Sequence, residues 1–582
     1  MMASRTIPTV SGVAAFKITV NGNLLPNTTA VLSVQIQHAI NKIPTATVVI
    51  LDNSPAAEPF AQSNGDLFLP GATISIAAGD ADEQMPIFSG IVVKHQIRLR
   101  SSAGPELHVQ CKHAVVKATL ARKNKVFLNA TDSDNIATVL QAHAGDEAVA
   151  VDSTSVSHPE MVQFNTTDWD FVVSRAQAAG LLVMIQPDAI EVKKPITSGT
   201  ATYTINYGSS MIDLDAEIDG RLQYSAVLAN AWDPAQQTMV QQPGSANSDS
   251  VGDLLASDIA EGMGSQNLDL FAGAALPEQE LKAWADASLQ QQQLSKVRGK
   301  ALIDGMSDFR LGGLVTISGA SNRFMGNAWI SGIGHQYDTS SGWKTHLQFG
   351  DNPHSWLEQN PTAHAPMASA LLPAVPGLQI GVVVALEDPA GEGRVQVTIP
   401  VMGMGTDAIW ARMAQADAGD NRGLFFRPEI GDEVVLGFLS NDPRYPVVLG
   451  GLHSSAKPPP IAPADANHVK GLVSRSGIAI TIDDDKKELV MSTPGGNTIT
   501  LSDDAQGITL EDMNGNKIEM TPQGIKIETT AKLELVAAQM VLGASGTLGV
   551  SASGSAEVKA AGGMKLEASG NLDLKGAIIN IN

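Results

Sequence analysis

"GTLGVSASGSAEVKAAGGMKLEASGNLDLKGAIININ" runs from Gly546 to Asn582, and its spacing governs how the rest of the chain is read. Apolar residues two apart, Leu548/Val550, Met564/Leu566, Leu572/Leu574 and Ile579/Ile581, recur between Gly, Ser, Ala, Lys and Asp. Side chains two apart on a strand point the same way, so each piece is a very short strand with one apolar and one polar edge. Upstream, the same pairing appears at Ile499/Leu501, Ile508/Leu510, Ile518/Met520, Ile525/Ile527, Leu533/Leu535 and Met540/Leu542, and Ala556/Val558 repeats it within the quoted stretch, with a period of about eight beyond Ile525. A single-chain solenoid needs about 20 or more residues per coil to enclose a core, so this repeat cannot close a turn alone. Three chains can close it, each supplying one face of a triangular prism. The pairs Ile525/Ile527, Leu533/Leu535, Met540/Leu542, Leu548/Val550, Met564/Leu566, Leu572/Leu574 and Ile579/Ile581 then face a common axis. Burying each such side chain stabilises by roughly 1.5–3 kcal/mol, against roughly 1–2 kcal/mol per ordered residue, and in a monomer only the cost remains. The sequence predicts a homotrimer. The alternative, a small sandwich of meandering hairpins, normally has longer strands and bulkier inward positions.

Composition agrees with a β-rich, multidomain chain. Its 582 residues suffice for about three or four domains, and 54 glycines among many Val, Ile and Thr favour strands joined by tight turns. The balance of 38 basic against 60 acidic side chains, a formal −22, excludes a surface built to neutralise phosphates, so no nucleic acid is expected as a partner. The one cysteine, Cys111, cannot form an intrachain disulfide. "SGVAAFKITV" is broken by Lys17 and lacks a long apolar core with a cleavage site, and no run reaches the roughly 18 apolar residues of a membrane span. A protein made and assembled in the cytoplasm without a signal peptide is expected.

Along the chain, alternating runs such as "AAFKITVNG", "TATVVILD" and "IFSGIVVKHQIRLR" predict barrel-like or sandwich units over the first 360 residues or so. Two helices stand out among them. "TTDWDFVVSRAQAAG" has Thr167 and Asp170 as a capping box, Gly180 as a left-handed cap, and Trp169, Val172, Val173, Ala176 and Ala179 as its buried stripe. "PEQELKAWADASLQQQQLS" places Pro277 in its first turn and buries Leu281, Trp284, Ala285 and Leu289. Residues 351–377 and 453–471 read as linkers. Between them, Gly431-Asp432 is a turn entering the strand "EVVLGFL", Asp442-Pro443 a turn leaving it, and Trp410, Phe425 and Phe438 the core of a small closed sheet with Pro428 before its turn.

"GRVQVTIP" (393–400), "IWARMAQADAGDNRGLFFRPEIGDEVVLGFLSNDPRYPVVLGGLH" (409–453) and the repeats beyond resemble the oligonucleotide/oligosaccharide-binding (OB-fold) barrel and triple-stranded β-helix of the VgrG-like spike proteins of contractile injection systems. "RPEIGDEVVLGF" followed by "DPRYPVVLGGL" carries the likeness, and the first 360 residues or so are similar to the family's hub, with "QFNTTDWDFVVSRAQAAGLLV" matching its recurring helix. The resemblance implies a mainly β protein with a hub over residues 1–365, an OB-fold barrel over 372–458 and a needle over 470–582. It also implies a trimeric hub of pseudo-sixfold character that meets the inner tube and baseplate, and a role in type VI secretion, a phage tail or an extracellular phage-tail-like particle. A PAAR-like tip protein is expected on the blunt end at Ile579, Ile581 and Asn582, with transient contact to the target membrane when the particle fires and carries the spike outside the cell.

Chemistry is sparse by comparison. No G-x-S-x-G, H-E-x-x-H, Walker loop or paired-cysteine site is present. The carboxylates of Asp483–Asp485 and Asp503/Asp504 fall at turns, Asn514-Gly515 reads as a hairpin turn, and His95, His108 and His113 read as structural residues. The barrel segment has five arginines and no lysine against more acidic residues, which does not make a nucleic-acid groove. No catalytic residue, cofactor or metal site is expected, nor an enzymatic extension before or after the repeats. The rival functions are a spike-borne cell-wall hydrolase and a trimeric fibre or adhesin.

Overall fold

The computed structural model describes residues 5–6, 15–52, 60–80, 83–100, 103–234, 236–245, 251–272, 276–363, 374–402 and 407–581. The chain divides into two units, residues 1–377 with 438–444, and residues 378–437 with 445–582. Both are built chiefly from strands.

In the first unit, strict alternation sets the faces. Along Thr45–Leu51, Ala46, Val48 and Ile50 are buried and their neighbours are half-exposed, the period of two that a sheet with one covered face requires. This strand pairs antiparallel with Val31–Ala39 on one side and Ala103–Lys112 on the other, and the ladder continues through Glu83–Arg100 and Thr73–Asp80 to Ala15–Val20. Val34, Ile36, Ile76, Phe88 and Val109 fill the core that results. Cys111 is buried in it, and burial pushes its thiol up to about 12. The strand Gly326–Asp338 extends the sheet to a second core: its start pairs with Leu314–Ser318, and from Gly332 it runs between Val31–Ala39 and Gly342–Phe349. Ile205, Ala301, Ile317, Trp329 and Leu347 occupy that core.

A helical subdomain interrupts these strands. Helices α1 (Asp132–Ala144) and α2 (Asp168–Ala178) share a core with the three-stranded sheet of Ala148–Val151, Leu182–Ile185 and Ala189–Lys193. Thr167 Oγ1 accepts from the Asp170 N–H at 3.1 Å to start α2, and Gly180 takes φ +71° after its end, a left-handed conformation that glycine adopts without a Cβ clash. Trp169, Val172, Val173 and Ala176 are buried, with Ala179 packed at the margin. Further on come α3 (Ala256–Met263) and α4 (Glu278–Ser295). Pro277 is the N-cap of α4, one position ahead of the helix, and not a first-turn residue as the sequence suggested. Leu281 and Ala285 are buried against the strand Val227–Asp233, while Trp284 and Leu289 are only partly covered.

The expected linker at 351–377 is corrected over its first part. Ser355 caps a short helix, Trp356–Gln359, whose Trp356 donates its indole N–H to Asp170 (3.0 Å) and its backbone N–H to Gln177 (2.7 Å). One docked tryptophan fixes a stretch whose Pro and Ala content looked unstructured. The three histidines singled out in the sequence each have a local bond: His95 Nδ1 to the Phe68 carbonyl, His108 Nε2 to Glu106, and His113 Nδ1 accepting from the Val115 N–H.

The second unit opens with a closed five-stranded barrel. In spatial order its strands are Gln379–Ala385, Val395–Thr398, Ile409–Met413, Pro446–Gly451 and Glu433–Phe438, which pairs back with the first. Beyond it, seven strands of five residues each, from Val469–Val473 to Gly524–Glu528, form an antiparallel meander in which each pairs only with its neighbours in sequence.

Candidate self-association surface

Sequence alternation and turn placement together give the meander its chemistry. Ile480 lies opposite Met491 and Ile482 opposite Leu489; the register continues through Met491/Ile499, Leu501/Ile508, Leu510/Ile518 and Ile518/Ile527. Two parallel columns of Ile, Leu and Met thus cross the sheet on one face. The other face carries Thr481, Val490, Thr500, Thr509, Glu519 and Lys526 in register. A sheet with one apolar face normally buries it against a second layer. Here, among the described residues, the columns remain open: Ile482 is 45% exposed and Leu501 40%.

The turns explain why the chain folds back on itself only this far. Lys487, Gly496, Gln506 and Gly515 all have positive φ between successive strands, as tight hairpins require. Asp512 secures the Asn514-Gly515 turn by accepting from the N–H groups of Asn514 (2.8 Å) and Asn516 (2.9 Å). Asp483 does the same for the turn after its strand, accepting from Asp485 and Lys486. Among the described residues, none after Gly524 has positive φ. Through Glu528 the repeats are hairpin strands paired within the chain, a pairing that the spacing of the apolar residues does not itself reveal.

The first predicted core pair lies on such a hairpin strand. Ile525 and Ile527, expected to be buried on a common axis, lie on the last hairpin strand opposite Met520 and Ile518, and they are 71% and 53% exposed. The physical reason is position: Gly524–Glu528 is the edge of the meander, so these two side chains have a neighbouring strand on one side only. A single sheet also puts nothing over its apolar face.

From Ala531 to Ile581 the described backbone carries no strand ladder. Its apolar pairs stand in water, with Leu535 62% exposed, Leu566 70% and Ile581 84%. Leu533, Met540, Leu542, Leu548, Val550, Met564, Leu572, Leu574 and Ile579 are likewise half or more exposed. Asn582 lies outside the described residues. An extended backbone without a ladder leaves its N–H and C=O groups for water or for another strand to satisfy.

The barrel that carries this sheet has an aliphatic core. Val383, Val395, Val397, Ile399, Ala411, Val434, Leu436 and Val448 are buried. Trp410 and Phe438 are half-buried and Phe425 is 81% exposed, so the expected aromatic core is corrected: short strands of a five-stranded barrel enclose room for valine-sized side chains. Trp410 instead lies beneath the Arg394 guanidinium, 5.7 Å from its ring centroid. Asp388, held well below the usual carboxylate range by the side-chain bonds from Arg394, pins that arginine at 2.8 Å. Gly431, at φ +88°, makes the turn in which the half-buried Asp432 accepts from the Glu429 N–H, just after Pro428. Asp442 is buried before Pro443 and accepts from the backbone and guanidinium of Arg444. In the segment 453–471, Lys457 reaches back to Asp432 at 3.0 Å. Arg475, past the first meander strand, pairs with Glu429 at 2.8 Å.

Three family models match the chain. Residues 10–339 match the Alg8 N-terminal domain, residues 379–453 the type VI secretion system/phage-baseplate injector OB domain, and residues 488–582 the phage baseplate V C-terminal trimerisation domain. The type VI secretion system spike proteins VgrG1b and VgrG1c of Pseudomonas aeruginosa are each 35% identical over 126 residues, 20% of this chain and 16% and 17% of their own lengths. The actin cross-linking toxin VgrG1 of Vibrio cholerae is 33% identical over 99 residues, 15% of this chain and 9% of the toxin. The chain therefore spans less than a fifth of the length of these relatives. Among solved structures, the tail protein of Neisseria meningitidis aligns with 58% of this chain and 97% of its own, at a TM-score of 0.45 and 13% identity. A component of the Escherichia coli type VI secretion system aligns with 75% of this chain and 100% of its own, at a TM-score of 0.40 and 13% identity.

Proposed function

Because the chain belongs to the VgrG-like spike proteins, with an Alg8 N-terminal domain ahead of its injector barrel, we propose that it acts as the homotrimeric central spike of a contractile injection system. The observation that carries this is the pair of open apolar columns on the meander, continued by the unladdered apolar pairs beyond Ala531. Three copies related by a threefold axis bury both at once, and they supply the backbone partners that one chain lacks. Packing the three apolar faces on one another gives each sheet the second layer it lacks, which makes the needle rigid enough to transmit force.

In this reading the hub, residues 1–365, seats the inner tube and the baseplate, and the barrel, residues 372–458, joins it to the needle, residues 470–582. The needle's end, at Ile579, Ile581 and Asn582, carries a conical tip protein and pierces the target membrane on contraction. The spike assembles in the cytoplasm within the particle, leaves the cell when the particle fires, and acts mechanically without catalysis. Light scattering on the purified chain, beside a copy ended at about residue 470, tests the assembly. A mass near three times 60.8 kDa that falls on truncation supports it, and a full-length monomer refutes it.

A further inference from the structure

A two-stranded ribbon on the helical subdomain, Arg122–Thr131 paired with Ser157–Thr167, has two different faces. Phe127 and Met161 turn inward onto the core shared with α1 and α2, whereas Val126 lies opposite Val162 and, with Leu128 and Phe164, stays 54–73% exposed. Alternation alone does not produce this display. Phe164 stands in a bulge, where the register shifts between Gln163 and Thr166, and Asn165 beside it takes φ +43°, a left-handed conformation uncommon outside glycine. Two bonds hold that backbone: the Asn165 N–H donates to Asn124 Oδ1 (2.8 Å), and the Arg122 guanidinium donates to the Asn165 carbonyl (2.6 Å). Asn129, next to Leu128, is also left-handed at φ +49°. A left-handed backbone pinned on both sides to leave an aromatic ring in water is the arrangement of a preorganised contact, where little conformational freedom remains to be lost on binding.

We propose that this ribbon docks a different protein of the particle, one whose contacting face is apolar and edged by carboxylates. The inference rests on the spike reading, in which the hub meets other proteins, and it names the surface and the chemistry of one such contact. Charge selects the partner. From Leu107 to Thr131 the chain carries five Lys and Arg and no Asp or Glu, in a molecule with 60 acidic side chains. Lys123 pairs with Asp168 at 2.5 Å, but Arg122 directs its guanidinium to the carbonyls of Asn165 and Thr362, and the Lys125 ammonium lies over the Phe127 ring, 4.5 Å from its centroid. Lys117 is exposed just ahead of the ribbon. Among the described residues, no carboxylate forms an ion pair with Lys117, Arg122 or Lys125, and Glu160 is the one acidic residue on the ribbon itself. An apolar strip edged by unneutralised cations is complementary to an apolar patch edged by Asp and Glu, which combines burial at the centre with electrostatic register at the rim.

The test places photoreactive p-benzoylphenylalanine at Phe164 of the full-length chain in cells that make the particle, an exposed position where the larger ring does not disturb the core. After irradiation the chain is purified under denaturing conditions and its cross-linked peptides are sequenced, while light scattering is run on the same variant purified in its folded state. The expected result is trimer mass, with residue 164 joined to an Asp- and Glu-bearing segment of another particle protein in a yield that Lys117→Glu and Lys125→Glu together lower severalfold. Trimer mass with cross-links only to peptides of this chain, only to lipid, or to nothing overturns the inference while leaving the spike reading intact, and so does a yield that the charge reversals do not change. Monomer mass overturns both.

Discussion

Arg175 stands where α1, α2 and α4 meet. Its guanidinium holds Asp132 through two bonds, at 2.7 and 2.9 Å, and reaches Glu280 at 3.4 Å, while His158 bonds Asp132 at 3.0 Å. Burial by itself would raise the Asp132 carboxyl, but the bonds and charge of Arg175 and His158 outweigh it and hold the group below its ordinary value. A carboxyl depressed in the folded state contributes stability above its unfolded pKa and loses it as pH falls through the folded one. Replacing Arg175 with Met strands two carboxylates around a gap, and the hub should lose about 3–5 kcal/mol in urea titration at pH 7. Asp351 behaves oppositely. It is 8% exposed, and burial pushes its carboxyl up to about 7 despite the bond from the Asn352 N–H and the charge of Lys42. Between pH 4 and 7 the folded state then holds the extra proton, so this residue lowers stability as pH rises. Asp351→Asn should raise hub stability by about 3–4 kcal/mol at pH 8 and change it little at pH 4, read from paired unfolding curves. Neither arrangement was legible in the sequence, because residues 132, 158, 175 and 280 come together only after the helices pack. Phe425 was misplaced for a related reason: hydrophobicity says that a side chain wants cover but not whether its own chain gives it.

Among the elements, the needle strands were the most legible and also the most incompletely read. Alternation gave their faces, and the apolar pairs predicted in the sequence stand in register across the meander. What period alone could not separate was pairing within the chain from pairing between chains, which is why Ile525 and Ile527 were grouped with the distal pairs although their strand is laddered to its predecessor. The difference lies in the turns: Lys487, Gly496, Gln506 and Gly515 reverse the chain, whereas the spacers after Gly524 have no left-handed residue among those described. The distal pairs should therefore be the ones that depend on other copies. Leu566→Asp or Leu572→Asp would gather three like charges near one axis, a penalty of several kcal/mol, and should leave the distal needle open while the meander still assembles. Limited proteolysis would show this as new cleavage confined to residues 531–581. Cleavage no different from that of the unmodified chain would mean that these side chains do not face inward.

At the scale of the molecule, the order of modules was read from the sequence because each has its own local signature: capped helices and alternating strands, then a barrel with Gly-Asp and Asp-Pro turns, then short repeats. The closed sheet of the barrel was read with them, whereas the docking of Trp356 onto α2 was not, since it joins residues far apart in sequence. The tip assignment belongs to this scale as well. Ending the chain after residue 570 removes Ile579, Ile581 and Asn582, and should abolish capture of a PAAR-like tip protein in a pull-down while the shortened chain remains trimeric. Undiminished capture would place the tip elsewhere.

The central claim is that residues 531–581 find their backbone partners in other copies, and hydrogen–deuterium exchange of the full-length protein tests it most directly. The account predicts that amides across this segment exchange as slowly as those of the paired strands between Ala479 and Thr521. Exchange within seconds throughout 531–581, alongside protected amides in the meander, would contradict it.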